Sequence, residues 1–152
     1  MAGGASPTGM ASLVAASDRT TPGATPTAVA GGERSTAMIY KGSCHCGQVA
    51  FEVDGELNGV VDCNCSICSR KGALLWFVPR AKLRLLTPEE NLATYTFNKQ
   101  VIQHRFCRRC GIHPFGEGIA PSGESMAAIN VRCLEAVDWS TLPIRHFDGR
   151  AL

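Results

Sequence analysis

Seven of the eight cysteines in this chain fall into three short clusters, and these clusters constrain the fold more than any other feature. The stretch "DCNCSICSR" holds a cluster of three, which are Cys63, Cys65 and Cys68. The stretches "SCHCGQ" and "FCRRCGI" hold one pair each, which are Cys44 with Cys46 and Cys107 with Cys110. Such spacings suit chelation, because two sulfurs from one tight turn can occupy neighbouring corners of a tetrahedron around zinc.

The composition predicts a soluble, cytoplasmic protein with one ordinary hydrophobic core. Of its 152 residues, 45% are apolar, and the formal net charge is +2, with no run of Lys or Arg longer than a pair. That charge gives no sign of a nucleic-acid or anionic membrane partner. No secretory signal and no apolar stretch of about 18 residues is visible. In a reducing compartment, clustered cysteines indicate metal ligands or reactive thiols rather than disulfides.

One change in composition divides the chain at Met38. Residues 1–37 consist mostly of Ala, Gly, Ser, Thr and Pro and lack aromatic residues, so we expect a disordered tail. Residues 38–152 are rich in strand formers and are expected to form the folded domain. Two other interpretations of the first segment stay open, a misassigned start and a mitochondrial presequence, although its basic residues are only Arg19 and Arg34.

The folded region reads as short strands separated by turns, so the fold class is mostly β. In "QVAFEV" the alternation places Val49, Phe51 and Val53 on one face. Further strands are predicted at "ALLWFV", "LRLL", "ATYTF", "VIQHRF" and "MAAINV". Only "SICSRKG" and "CLEAVDWSTL" are suited to a helical turn or two.

Glycine positions favour one grouping of the cysteines. Gly47 and Gly111 each follow the second cysteine of a pair, where a backbone without Cβ can turn sharply towards a bound metal. The matching pattern predicts one four-thiolate structural zinc site from the two pairs, although spacing alone leaves other pairings open. The cluster of three is followed by Ser69 and Arg70 instead of glycine. Three ligands leave a coordination position for water or substrate, which is typical of a catalytic zinc.

Four segments together resemble the glutathione-dependent formaldehyde-activating enzyme family, which also includes the centromere protein V group. They are "YKGSCHCGQVAFEV", "CNCSICSRKG", "FCRRCGIHPFG" and the closing "HFDGR". The resemblance covers nearly all of residues 38–152. It implies an Mss4-like β-tent of short antiparallel strands tied by zinc.

The resemblance also implies two zinc ions per chain and a reaction. A structural zinc would be held by Cys44, Cys46, Cys107 and Cys110, and a catalytic zinc by Cys63, Cys65 and Cys68. The implied activity is a carbon–sulfur lyase reaction in the direction of synthesis, in which glutathione as co-substrate adds to formaldehyde and gives S-hydroxymethylglutathione.

This chemistry suits a three-thiolate site with small-molecule partners. A free thiol with a pKa near 8.5 is mostly protonated at neutral pH, and coordination to zinc deprotonates it. A thiol such as glutathione would bind as the fourth ligand and add to a small aldehyde. Its carboxylates need cationic partners, for which Arg70 and Lys71 are the first candidates, unless both are ordinary solvated charges. The pattern makes no prediction of oligomeric state.

Four other residues have both a functional and an ordinary interpretation, and a fifth, Cys133, has only an ordinary one. His45 and Asn64 lie between cysteines. In the functional interpretation they form hydrogen bonds around the metal ligands, and in the ordinary one they are exposed turn residues. His104 and His113 flank "FCRRCG", where they act as proton carriers or ligands, or pack as structural side chains. Cys133 stands alone in "NVRCLE" and is expected to be a buried, unliganded thiol.

Two rival classes of function stay open. One is a zinc-stabilised binding module without catalysis, with a nucleic-acid or protein partner, since arginine-bearing zinc knuckles such as "CRRC" occur in nucleic-acid-binding proteins. Charge argues against nucleic acid: from Met38 onward thirteen Lys and Arg face eleven Asp and Glu, and two zinc ions with seven thiolates turn that +2 into −1. The other rival is a protein in which both metals only stabilise the fold. Binding of an external thiol to the three-cysteine zinc would distinguish the enzyme from this purely structural protein.

Overall fold

The computed structural model of the protein describes residues 38–152. The predicted disordered tail, residues 1–37, lies outside these residues. Ten short β-strands, one α-helix and five 3₁₀ helices make up the described part. None of the helices found there is long and apolar enough to cross a membrane.

The regular elements follow one another closely along the chain. The strands are β1 (Met38–Ser43), β2 (Ala50–Gly55), β3 (Val60–Cys63), β4 (Leu74–Pro79), β5 (Leu83–Leu85), β6 (Leu92–Tyr95), β7 (Gln103–Cys107), β8 (Phe115–Ile119), β9 (Ser125–Asn130) and β10 (Ile144–Phe147). The α-helix is α1 (Cys68–Lys71), and the 3₁₀ helices are Arg80–Lys82, Glu89–Asn91, Val131–Cys133, Trp139–Thr141 and Gly149–Ala151.

The strands form two sheets. A three-stranded sheet has the order β1-β2-β5, and a seven-stranded sheet has the order β10-β3-β4-β9-β8-β7-β6. Neighbouring strands are antiparallel, except that β10 pairs with β3 in parallel, with Phe147 opposite Cys63. The predicted mostly-β class of short antiparallel strands is therefore confirmed.

The core lies between the two sheets and follows the alternation seen in the sequence. Val49, Phe51 and Val53 are all fully buried, as "QVAFEV" predicted. The ring of Phe51 packs edge-to-face on Phe115 of the other sheet, with 5.6 Å between ring centroids. Gly42, opposite Phe51 on β1, must be glycine because a Cβ there would lie 2.4 Å from the Phe51 ring. Burial of these aromatic side chains joins the sheets.

Sequence patterns missed four strands, the first of which is β1. β8 has the sequence FGEGI, and its two glycines weaken the strand signal. β10 is exposed along its whole length, so it shows no alternation of apolar and polar residues. β3 is only four residues long and ends inside the cysteine cluster. The helical turn predicted in "SICSRKG" is present as α1, and "CLEAVDWSTL" contains only a 3₁₀ turn at Trp139–Thr141.

Candidate metal centres and adjoining cavity

The two cysteine pairs come together from different sheets. Cys44 and Cys46 lie in the β1–β2 connection, whereas Cys107 ends β7 and Cys110 lies before β8. Their four sulfurs all lie within 4.8 Å of one another. The Cys46 Sγ is 3.6 Å from the sulfurs of both Cys44 and Cys107. Zinc–sulfur bonds of about 2.3 Å in a tetrahedron place sulfurs about 3.8 Å apart, so this group could hold a zinc ion.

The backbone around this group has the same form in both hairpins. Gly47 and Gly111 have positive φ angles of 78° and 74°, which favour glycine. The Gly47 N–H donates to the Cys44 carbonyl, and the Gly111 N–H donates to the Cys107 carbonyl. The N–H groups of two other residues donate to sulfur, Val49 to Cys44 and Arg109 to Cys107. The glycine pattern in the sequence therefore corresponds to two matching turns.

The cluster of three forms a second group at the end of β3. The sulfurs of Cys63, Cys65 and Cys68 also lie within 4.8 Å of one another, and no other potential ligand of residues 38–152 joins them. α1 begins at Cys68, and the Ser69 N–H donates to the Cys65 carbonyl over 3.1 Å. Burial, followed by the Cys65 sulfur, raises the pKa of the Cys68 thiol to about 12. A cation is therefore needed to keep this sulfur ionised at neutral pH, and a soft thiolate set suits zinc.

The C-terminal segment closes over the three-cysteine group. Asn64 fixes this contact, because its side chain donates to Asp148 Oδ1 over 2.8 Å and accepts from the Arg150 N–H over 3.1 Å. Gly149 lies between these two partners, and a Cβ on it would stand 2.6 Å from Cys63 Sγ. Asn64 therefore binds the "HFDGR" segment rather than a cysteine sulfur, whereas His45 is simply exposed in its turn.

A cavity of about 850 Å³ opens beside the three cysteines. Cys63, Cys65 and Cys68 line it, together with Lys71 of α1. Arg70 is not on its wall, and its guanidinium donates to the Ser66 carbonyl over 2.6 Å. Two cations that the sequence interpretation missed do line it, Arg145 of β10 and Arg150. The motif "HFDGR" was the only sequence signal near them.

His104 and His113 lie on the wall of the same cavity, outside both sulfur groups. Lys71 Nζ is 3.1 Å from His104 Nδ1, and His113 Nδ1 is 2.7 Å from the Arg105 carbonyl oxygen. Burial lowers the pKa of Lys71 to about 8. Burial, with the charge of Lys71 adding to it, lowers the pKa values of both histidines to about 4. Both imidazoles are neutral at physiological pH, and Lys71 supplies the donor at this end of the cavity.

Cys133 belongs to neither sulfur group. Burial raises the pKa of its thiol to about 11, and its sulfur lies 3.8 Å from the His113 carbonyl oxygen. A thiol in this state is unreactive at neutral pH. The expectation of an unliganded Cys133 agrees with this position.

Two comparisons relate this chain to known proteins. A family model described as glutathione-dependent formaldehyde-activating enzyme matches residues 39–147. A crystal structure of a Rhodobacter sphaeroides protein is similar, with 34% sequence identity and a TM-score of 0.60. The similarity covers 69% of this chain and 99% of the other. Because the family model spans well over half of the sequence and all three cysteine clusters, the chain belongs to the glutathione-dependent formaldehyde-activating enzyme family.

Proposed function

We propose that the protein is a zinc-dependent enzyme of the carbon–sulfur lyase type, which joins a thiol such as glutathione to formaldehyde or another small aldehyde. The observation that carries this proposal is a group of three cysteine sulfurs, without a fourth side-chain ligand in the described residues, on the wall of a large cavity. A purely structural site would be closed by four protein ligands, as the other cysteine group is. Family membership supports the link to glutathione and formaldehyde.

Two groups of this chain would hold the zinc ions. Cys44, Cys46, Cys107 and Cys110 supply four thiolates to a structural ion, and Cys63, Cys65 and Cys68 supply three to a catalytic one. A zinc ion with three protein ligands supplies an open position at which an incoming thiol loses its proton. Residues of the cavity would stabilise the carbonyl oxygen and bind the carboxylates of the thiol.

Lys71 is the residue best placed to assist addition to the aldehyde. As the thiolate attacks the carbonyl carbon, negative charge develops on the carbonyl oxygen and must be stabilised. The Lys71 ammonium has three donors, of which His104 Nδ1 takes one over 3.1 Å. The remaining donors are available to the oxygen, and the lowered pKa of Lys71, about 8, suits proton transfer to it.

The carboxylates of glutathione would meet cations on the opposite side of the three cysteines. Arg145 and Arg150 belong to the C-terminal segment beside β3, and both line the cavity. Arginine binds carboxylates through two parallel hydrogen bonds. Arg70 lies off the cavity wall, so we assign it no contact with the thiol.

Metal content with and without glutathione tests this proposal. We expect two zinc ions per chain when glutathione is present and a changed zinc X-ray absorption spectrum on its addition, because its sulfur enters the coordination sphere. Cys65→Ser should remove one zinc, and with it the enzymatic consumption of formaldehyde above the spontaneous background, because serine is a poor zinc ligand. Cys133→Ser is the matched control and should keep both ions. A wild-type protein that neither accelerates the reaction nor responds to glutathione would point to a zinc-stabilised binding module instead.

A further inference from the structure

The cavity floor contains a row of four residues that runs across four strands. Phe77 of β4 is opposite Ala128 of β9, Ala128 is opposite Gly116 of β8, and Gly116 is opposite His104 of β7. All four residues line the cavity. Because neighbouring strands lie about 4.8 Å apart, the row extends for about 14 Å from Phe77 to His104. The two residues at its ends have large side chains, and the two in its middle are small.

Nothing in the backbone requires so small a residue at the middle of the row. Gly116 does not have a left-handed φ, and a Cβ on it would meet nothing closer than 3.5 Å, which is an ordinary contact. The same holds for Gly118, which stands opposite Met126 in the next row. Gly116 and Ala128 both line the cavity, and neither carries a side chain larger than a methyl group that would fill it. We call the space over Ala128 and Gly116, between Phe77 and His104, the apolar slot.

Apolar side chains surround this slot although they face solvent. Phe77 and Ile102 are 50% and 53% exposed, and both line the cavity. The solvent face of an antiparallel sheet normally carries polar residues. Lys71 and His104 stand at one end of the slot, and the three-cysteine group lines the same cavity. Glu117 also lines the cavity, but its carboxylate is paired with Arg80 and Arg105. An apolar surface continuous with a reactive centre favours an apolar group on the substrate.

The order of the strands separates this surface from Arg145 and Arg150. Cys63 ends β3, and β3 has β10 with Arg145 on one side and β4, then β9 and β8, on the other. A charged thiol held by Arg145 and Arg150 therefore leaves the slot free for the other reactant. Formaldehyde carries only hydrogens on its carbonyl carbon and would contact none of the slot.

We propose that the apolar slot binds the organic group of the aldehyde, and that the substrate class is apolar aldehydes with a group about the size of a benzene ring. This inference rests on the function proposed above. In the reaction a sulfur–carbon bond forms and the carbonyl π bond breaks, and the proton lost by the thiol is matched by one gained by the oxygen. No oxidant or reductant is required.

Binding of two unreactive thioethers tests the slot without any turnover. S-Benzylglutathione and S-methylglutathione differ only in the group that would enter it. With the full zinc-loaded chain we expect at least about tenfold tighter calorimetric binding of the benzyl compound, since burial of a few apolar carbons discriminates by 10- to 200-fold. Ala128→Leu fills the slot and should bring the ratio of affinities close to one. Ala81→Leu, at an exposed position off the cavity, is the matched control and should keep the ratio.

Rates with benzaldehyde and formaldehyde separate the two proposals. Equal affinities for the thioethers, or an equal loss of both in Ala128→Leu, would overturn the slot. If the protein accelerates addition to formaldehyde but binds both thioethers equally, the slot proposal is wrong and the proposed reaction still holds. If the protein accelerates addition to neither aldehyde but still binds S-benzylglutathione tenfold more tightly, the proposed reaction is wrong and the slot remains as a binding site. If Ala128→Leu does not fold, Gly116→Ala takes its place, because its new Cβ makes only ordinary contacts.

Discussion

Gly149 shows how closely single residues determine the three-cysteine group. A Cβ at this position would lie 2.6 Å from Cys63 Sγ and 2.9 Å from Cys65 Cβ, so one of these groups would have to move. Asn64 holds the neighbouring backbone by hydrogen bonds to Asp148 and Arg150, so the segment cannot retreat freely. A larger residue at position 149 would therefore displace the cysteine sulfurs.

We predict that Gly149→Ala weakens metal binding at the three-cysteine group while the four-cysteine group keeps its ion. Extra atoms in a packed site cost about 1–3 kcal/mol, which corresponds to a loss of zinc affinity of roughly fivefold to 150-fold. Competition with a zinc chelator in the presence of glutathione measures this loss. Gly118→Ala is the control, because its Cβ would meet nothing closer than 3.5 Å. Unchanged zinc affinity in Gly149→Ala would show that the segment moves aside without cost.

The buried histidines give a second prediction at this scale. Because burial lowers the pKa values of His104 and His113 to about 4, we expect their rings to stay neutral as the pH falls from 7 to about 5. NMR of the ring C2 protons measures this, and His104→Asn and His113→Asn assign the two signals. A midpoint near the ordinary value of about 6.5 would contradict the burial.

The same shifts predict how these histidines affect stability. Their folded pKa values lie below the unfolded value of about 6.5, so the unfolded chain binds more protons between about pH 6.5 and 4. Both histidines therefore lower the free energy of unfolding as the pH falls through that window. Above pH 6.5 they have no such effect.

At the scale of elements, the four-cysteine group connects two hairpins that belong to different sheets. The β1–β2 connection supplies two sulfurs from the three-stranded sheet, and the β7–β8 connection supplies two from the seven-stranded sheet. The Asn91 side chain adds one hydrogen bond near this junction, to the Gln48 carbonyl over 2.7 Å. A metal in this group would therefore hold the two sheets together at one end.

We expect Cys110→Ala to yield insoluble or molten protein. Structural zinc contributes about 10 kcal/mol or more of apparent binding free energy in peptide models, whereas a whole domain is stable by only about 5–15 kcal/mol. Soluble yield, zinc content and the melting temperature report the effect. Cys133→Ala removes a cysteine outside both groups and serves as the comparison. A Cys110→Ala protein with unchanged melting temperature and zinc content would exclude the four-thiolate site.

At the scale of the whole molecule, residues 38–152 contain both cysteine groups, the core and the cavity. We predict that a chain beginning at Met38 keeps the zinc content and melting temperature of the full chain, because residues 1–37 are poor in the apolar side chains that would pack on the domain. Metal analysis and calorimetry of both chains measure this. A loss of several degrees in the shortened chain would show that residues 1–37 stabilise the domain.

Sequence alone was sufficient to predict the spatial grouping of the cysteines and the fold class. Cysteines two or three positions apart must lie close in space, and glycine after the second cysteine indicates the turn that both pairs share. Alternating apolar residues likewise predict buried strand faces, as in Val49, Phe51 and Val53. These patterns are local, so they can be read without knowledge of strand order.

Tertiary structure decided everything that depends on contacts between distant segments. Arg150 meets Asn64 across 86 positions of sequence, and Gly149 approaches Cys63, only because β10 pairs in parallel with β3. The row from Phe77 to His104 likewise exists because four strands align in one register. Strand order and register arise from packing of the entire core, and no local period in the sequence encodes them.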